Sequence, residues 1–211
     1  MYSIYRFRKA MTIYITNCYS KGLSLKGIEQ TAVAKAHIIR MILRALKYYF
    51  SDRKKNADKG NGTDTTPSNS VCWEPYLGRW YEWARYDTPF EYGLDHVYTE
   101  YEALNDSEVR ITNYGMDSKG TQRTAHAKAT KDGCGRLQVS FIPLLRFIAT
   151  PYHVLYVDEN YRNALVSNES GSCLWLLGRT PQYNTADYKR LCMEAEARGF
   201  DTSLLRLTSH H

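Results

Sequence analysis

Tyr76-Leu77-Gly78-Arg79-Trp80-Tyr81-Glu82 opens the run 79–86, and the fold is read outward from it. Aromatic side chains of this density suit a pleated, half-buried surface. Seven further runs rich in Val, Ile, Tyr, Thr and Trp follow, at 96–104, 108–115, 121–130, 136–142, 151–157, 162–168 and 172–179. Turn residues separate them: Asn105-Asp106, Ser118-Lys119-Gly120, Lys131-Asp132-Gly133, Asp158-Glu159-Asn160 and Glu169-Ser170-Gly171.

Several runs alternate. Val97, Thr99, Tyr101 and Ala103 share one parity against His96, Tyr98, Glu100 and Glu102, while Leu137, Val139 and Phe141 oppose Gln138 and Ser140. Such strands have one dry and one wet face. Eight of them joined by short turns predict an all-β domain: an eight-stranded antiparallel up-and-down β-barrel, closed on itself, with an interior for side chains or one small ligand. One C-terminal helix follows, to be packed outside. Tyr188, Leu191, Cys192 and Ala195 form its apolar stripe, Asn184 or Thr185 is the N-cap, and Gly199 is the C′ residue. Leu204, Leu205 and Leu207 allow one more short strand.

The chain before residue 72 is different in kind. Of the 211 residues, 1–71 hold 13 Lys/Arg against 4 Asp/Glu, whereas 72–211 hold 15 against 18. The formal charge of +6 therefore belongs to the N-terminal third, and the main domain lacks the basic footprint of a nucleic-acid binder. Residues 1–55 read as a basic extension. Within it Ile38, Ile42, Ala45, Leu46 and Tyr49 make one helical face over 28–50, opposite His37, Arg40, Arg44 and Lys47. Such a helix suits peripheral contact with an anionic membrane surface, docking on a partner, or plain solvation. Residues 56–71, rich in Gly, Asn, Thr and Ser, read as a flexible linker, and 72–211 as the barrel domain. Arg6, Arg8 and Lys9, then a short apolar stretch, then Cys18 outline a weak lipoprotein signal, making Cys18 the candidate for lipidation.

The five cysteines, Cys18, Cys72, Cys134, Cys173 and Cys192, form no CxxC pair and no zinc spacing, so no metal is expected. Buried thiols and one or two disulfides both fit the count. No stretch reaches the length of uninterrupted apolar residues needed to span a bilayer as a helix.

Gly78-Arg79-Trp80-Tyr81-Glu82, with Ala84-Arg85-Tyr86-Asp87 and Phe90-Glu91-Tyr92-Gly93 behind it, resembles the opening signature of the lipocalin family, in its bacterial and apolipoprotein D branch. Ala164-Leu165-Val166, Leu174-Trp175-Leu176-Leu177-Gly178-Arg179-Thr180-Pro181 and Gly199-Phe200-Asp201 are similar to later family blocks. The resemblance covers about 74–207. It implies structural roles for Gly78, Trp80 and Arg179: the indole plugs one barrel end, the glycine lets the chain approach closely there, and the guanidinium stacks over the indole while donating to carbonyls of the crossing segment. It also implies a ligand lined by Tyr101, Asn113 and Trp175. Val97 shares the face of Tyr101, Val139 belongs to an alternating wall, and Glu82 shares the parity of Trp80, where burial would raise its pKa. The apolar segment Phe141–Ile148 replaces the family's glycine-aromatic loop.

The function implied is carriage of a small hydrophobic ligand, a fatty acid, lysophospholipid or similar lipid, with no cofactor and no catalytic residue. The expected location is the cell envelope if the chain is bacterial, and secretion otherwise. Two alternatives stay open: a lipocalin-fold enzyme using Glu82, Cys134 or Cys173, and a protein acting at a membrane or partner through its N-terminal helix. His96, His126 and His153 have no metal spacing, and no GxSxG is present. Oligomeric state is not legible.

Overall fold

The computed structural model describes residues 62–68, 71–88, 91–140 and 150–211. Cys18, the helix read at 28–50 and the Phe141–Ile148 segment lie outside them. A short helix α1 (Trp73–Tyr76) precedes eight strands: β1 (Gly78–Tyr86), β2 (Asp95–Ala103), β3 (Glu108–Met116), β4 (Gln122–Lys131), β5 (Arg136–Ser140), β6 (Thr150–Val157), β7 (Asn163–Asn168) and β8 (Leu174–Gly178). Helix α2 (Thr185–Ala197), a 3₁₀ turn at Thr202–Leu204 and strand β9 (Leu205–Leu207) complete the order.

Each strand pairs antiparallel with the next, and β1 pairs with both β8 and β2, so the sheet closes into the eight-stranded barrel that the alternation predicts. The seam between β1 and β2 is shared. Residues 78–81 of β1 face β2, whereas 84–86 face β9, which enters as a wedge and reaches β2 through the His96 N–H to Ser209 carbonyl bond at 2.7 Å.

β1 carries a bulge between Glu82 and Ala84. Strict alternation would keep Ala84 on the face of Trp80. The extra residue instead puts Trp83 and Ala84 together in the outer cluster and brings Arg85, paired with Trp175, to the barrel interior. Trp83 lies across Gly178, where a Cβ would run into the indole ring, so only glycine fits beneath it.

Two cores result. The inner one joins Trp80, Tyr101, Ile111, Leu137, Val139, Val154, Val166 and Leu177 inside the barrel. The outer one sets Leu191 and Ala195 of α2 with Phe200 against Leu155, Leu165 and Leu176. α2 begins at the predicted cap: the Asn184 side chain accepts from Asp187 N–H at 2.8 Å, and Gly199 follows at φ 81°. Within the stretch read as a flexible linker, residues 62–68 run against the barrel: Ser68 N–H donates to the Val154 carbonyl, Asp64 N–H to the Arg198 carbonyl, and the Arg198 guanidinium lies 3.2 Å from the Asp64 carboxylate. Composition missed this because the stretch carries no apolar periodicity: its contacts use backbone groups together with small polar side chains such as Asp64 and Thr65.

Candidate ligand-binding site in the barrel

The floor is built by α1 and its neighbours. Trp80 is fully buried; its indole N–H donates to the Tyr76 carbonyl at 2.7 Å. The Arg179 guanidinium sits 3.9 Å above the Trp80 ring and donates to three carbonyls, Tyr161 (3.0 Å), Arg79 (2.8 Å) and Pro75 (2.7 Å). Pro75 belongs to the segment that crosses the barrel end. One planar cation thus ties β1, the β6–β7 turn and α1 to the plug. Gly78 is at φ 91° beneath Arg179, a backbone state that favours glycine.

Above the floor stands a cluster of phenols. Tyr101 and Tyr152 share a hydrogen bond of 2.6 Å between hydroxyls, and Tyr76 reaches Tyr152 at 3.3 Å. Burial pushes all three well above the usual phenol range, so each stays a neutral donor and acceptor. Tyr152 also stacks on Trp175, with ring centroids 6.3 Å apart and an interplanar angle of 29°. Val97 and Val139 are buried on the walls. Asn113 pairs across the sheet with Thr99, whose hydroxyl donates to its side-chain oxygen at 2.8 Å.

Towards the other end, a charged network replaces apolar wall. Arg85, fully buried, donates from Nη1 to Glu82 and to the Thr208 hydroxyl (3.2 Å), and from Nη2 to the carbonyls of Glu91 (2.7 Å) and Leu94 (3.0 Å). Its Nε has no hydrogen-bond partner and lies 3.4 Å from the Asp87 carboxylate. Burial opposes the Arg85 charge, but Glu82, Glu91 and Asp87 outweigh it and hold its pKa above the ordinary value. Glu82, read from parity as a ligand-facing residue, is engaged instead by Arg85 and the Thr208 hydroxyl. The carboxyl that burial raises is Glu91, in the β1–β2 loop. Desolvation and the Glu82 charge push it up to about 7, against Arg85 and the hydrogen bonds from Thr88 (3.0 Å) and the Trp175 indole (3.2 Å to each oxygen).

Tyr101 and Trp175 therefore meet through Tyr152, while Asn113 is held by Thr99 away from that chain of contacts. Sequence reading passed over Tyr152, Arg85 and Glu91. Tyr152 stands in a predicted strand and was within reach of a parity argument; Arg85 needs the bulge; Glu91 sits in a loop without periodicity. Among the described residues no group of three or more His, Cys, Asp or Glu side chains is placed to hold a metal, and Cys72, Cys134 and Cys192 are free thiols.

Comparison with known proteins now bears on this geometry. The lipocalin-like domain family matches residues 73–210. The outer membrane lipoprotein Blc of Vibrio cholerae is 37% identical over 139 residues, covering 62% of this chain and 77% of the relative. Temperature-induced lipocalin-1 of Arabidopsis thaliana is 34% identical over 144 residues, covering 64% and 77%. Mouse apolipoprotein D is 31% identical over 121 residues, covering 50% and 59%. Among solved structures, lobster apocrustacyanin A1 superposes with a TM-score of 0.55 at 18% identity, covering 65% of this chain and 78% of that one. The cockroach allergen Per a 4 gives 0.57 at 10% identity, covering 71% and 95%. With its closed barrel, the Trp80–Arg179 stack at the floor and an outer helix after β8, the chain belongs to the lipocalin family, in the branch of the bacterial lipocalins and apolipoprotein D.

Proposed function

We propose that the barrel sequesters or transports a small hydrophobic ligand, of the size and chemistry of a fatty acid or lysophospholipid. The observation that carries this reading is the Tyr101–Tyr152–Trp175 chain of aromatic contacts set among apolar walls, with a polar network at the end opposite the plug. An acyl tail fits the first and a head group the second. Burying a dozen methylenes at about 0.8 kcal/mol each supports micromolar binding after the cost of association.

The test is titration of the purified chain with lysophosphatidylcholine and with oleate, read by Trp emission, beside mass spectrometry of lipid extracted from the purified protein. Quenching or blue shift that saturates at micromolar ligand, and is reduced in Trp175→Phe, supports the reading. A spectrum unmoved by every lipid, with no lipid in the extract, refutes it. Location at the cell envelope is part of the same proposal, supported by relatives named as outer membrane lipoproteins. Membrane fractionation of Cys18→Ser against the natural sequence tests the anchor, and liposome flotation with and without residues 28–50 tests peripheral contact.

A further inference from the structure

The charged network inside the barrel is unbalanced in a way that bears on which ligand enters. Among the described residues Arg85 is its one fully buried guanidinium: Nη1 donates to Glu82 and Thr208 and Nη2 to two carbonyls, while Nε, without a hydrogen-bond partner, lies 3.4 Å from the Asp87 carboxylate. Three carboxylates, Glu82, Glu91 and Asp87, stand around that single buried cation. Arg206, the next cation, is paired with Asp95 (3.3 Å) and Asp87 (3.6 Å). Glu91, by contrast, turns both carboxyl oxygens to the Trp175 indole N–H and one to Thr88, with Tyr152 stacked on the same indole. A carboxylate beside aromatic rings is the chemistry that holds an ammonium group. A further carboxylate brought there would meet three of like charge around one buried guanidinium.

We propose that Glu91 reads the head group of the ligand, admitting single-chain lipids that carry an ammonium head and turning away free carboxylates. This deepens the lipid-binding reading and rests on it. The groups that face Glu91 are Glu82 and Arg85 from β1, Thr88 from the same loop, Trp175 from β8, Tyr152 through Trp175, and, through Arg85, Asp87 of the loop and Thr208. His210, bonded to the Glu82 carbonyl at 2.8 Å, and Arg206 and Asp95 stand further out. With its carboxyl raised to about 7 by burial, Glu91 is largely ionised at pH 8 and largely neutral at pH 6, so the preference weakens as pH falls.

Three probes with one tail and different heads test this: dodecyltrimethylammonium, dodecanol and dodecanoate, each at monomeric concentration, titrated into the full chain and into Glu91→Gln. The affinities of the two charged probes are expressed as a ratio, with dodecanol as the reference for each variant. The ammonium probe is expected to bind at least about tenfold tighter than the carboxylate at pH 8, with the ratio shrinking at pH 6 and becoming pH-independent in Glu91→Gln. Circular dichroism melting establishes that the variant is folded. Equal binding of both charged probes, or a ratio that Glu91→Gln leaves unchanged, overturns the role of Glu91 while leaving lipid binding intact. Failure of all three probes, dodecanol included, overturns the lipid-binding reading itself and this inference with it.

Discussion

Replacing Arg179 by Lys keeps the positive charge at the barrel floor and removes what is planar about it. The guanidinium makes three hydrogen bonds to carbonyls on three different segments and stacks 3.9 Å above the Trp80 indole. A lysine ammonium on a flexible stem can satisfy one of those carbonyls and cannot stack. The stack contributes about 0.5–2 kcal/mol, and each lost charged hydrogen bond roughly 1.5–3 kcal/mol, discounted because Arg179 is only half-buried. The expected loss is about 2–4 kcal/mol, which for a domain of this size lowers Tm by roughly 6–12 °C. Urea and thermal unfolding followed by Trp fluorescence measure it. Arg79→Lys supplies the control. Arg79 also lies over an aromatic ring, Tyr98 at 4.4 Å, and also pairs with a carboxylate, but its side chain is 46% exposed and that of its partner Glu100 37%. Exposed pairs of this kind contribute about 0–1 kcal/mol. Equal midpoints for Arg179→Lys and Arg79→Lys would refute the claim that the floor is locked by geometry, not by charge.

Tyr152→Phe removes the hydroxyl that serves both Tyr101 and Tyr76, and costs about 1–3 kcal/mol; a double-mutant cycle with Tyr101→Phe is expected to show coupling, since both changes break the same 2.6 Å bond. Gly178→Ala drives a methyl into the Trp83 ring and is expected to destabilise by about 3 kcal/mol or more, read as loss of soluble yield or of a cooperative melt. Glu91 gives stability a pH slope. Its carboxyl is raised from 4.5 to about 7, so the folded state holds a proton that the unfolded chain gives up. The folded state is therefore favoured below about pH 4.5, loses on the order of 3 kcal/mol as pH rises to about 7, and is level above that as far as this group is concerned. Urea midpoints of the wild type against Glu91→Gln between pH 5 and 8 check it; a slope shared by both proteins assigns the effect elsewhere.

Strand positions were legible because eight runs of β-formers stand between turn residues and alternate with period two, and all eight appear within about two residues of their reading. β5 is described as Arg136–Ser140, and the last two residues of the run read to 142 lie outside the described residues. The plug was legible because glycine, tryptophan and arginine do distinctive things at a barrel end. The interior was legible only in part. A single bulge at Trp83 reverses parity for the rest of β1, so Arg85 enters the barrel where alternation gives no hint of it. Glu91 comes from a loop and owes its burial to contacts with Trp175 and Thr88, far apart in the chain or outside any repeat. Glu82 shares the parity of Trp80, but its partners, Arg85 from across the bulge and Thr208 from after β9, depend on tertiary structure alone.

The wedge of β9 has a consequence for how the molecule is made. Thr208 and Glu82 are bonded across 126 positions, and half of the β1–β2 seam is completed only by residues 205–209. During synthesis the first seven hairpin contacts can form as their strands leave the ribosome, yet the rim on that side stays unzipped until almost the whole domain has emerged. Completion of the seam and of the hydrogen bonds around the Glu82–Arg85 pair then become one terminal event, so a nascent chain halted before residue 205 would hold a cup open along half of one seam, with a buried charge pair missing one of its polar neighbours.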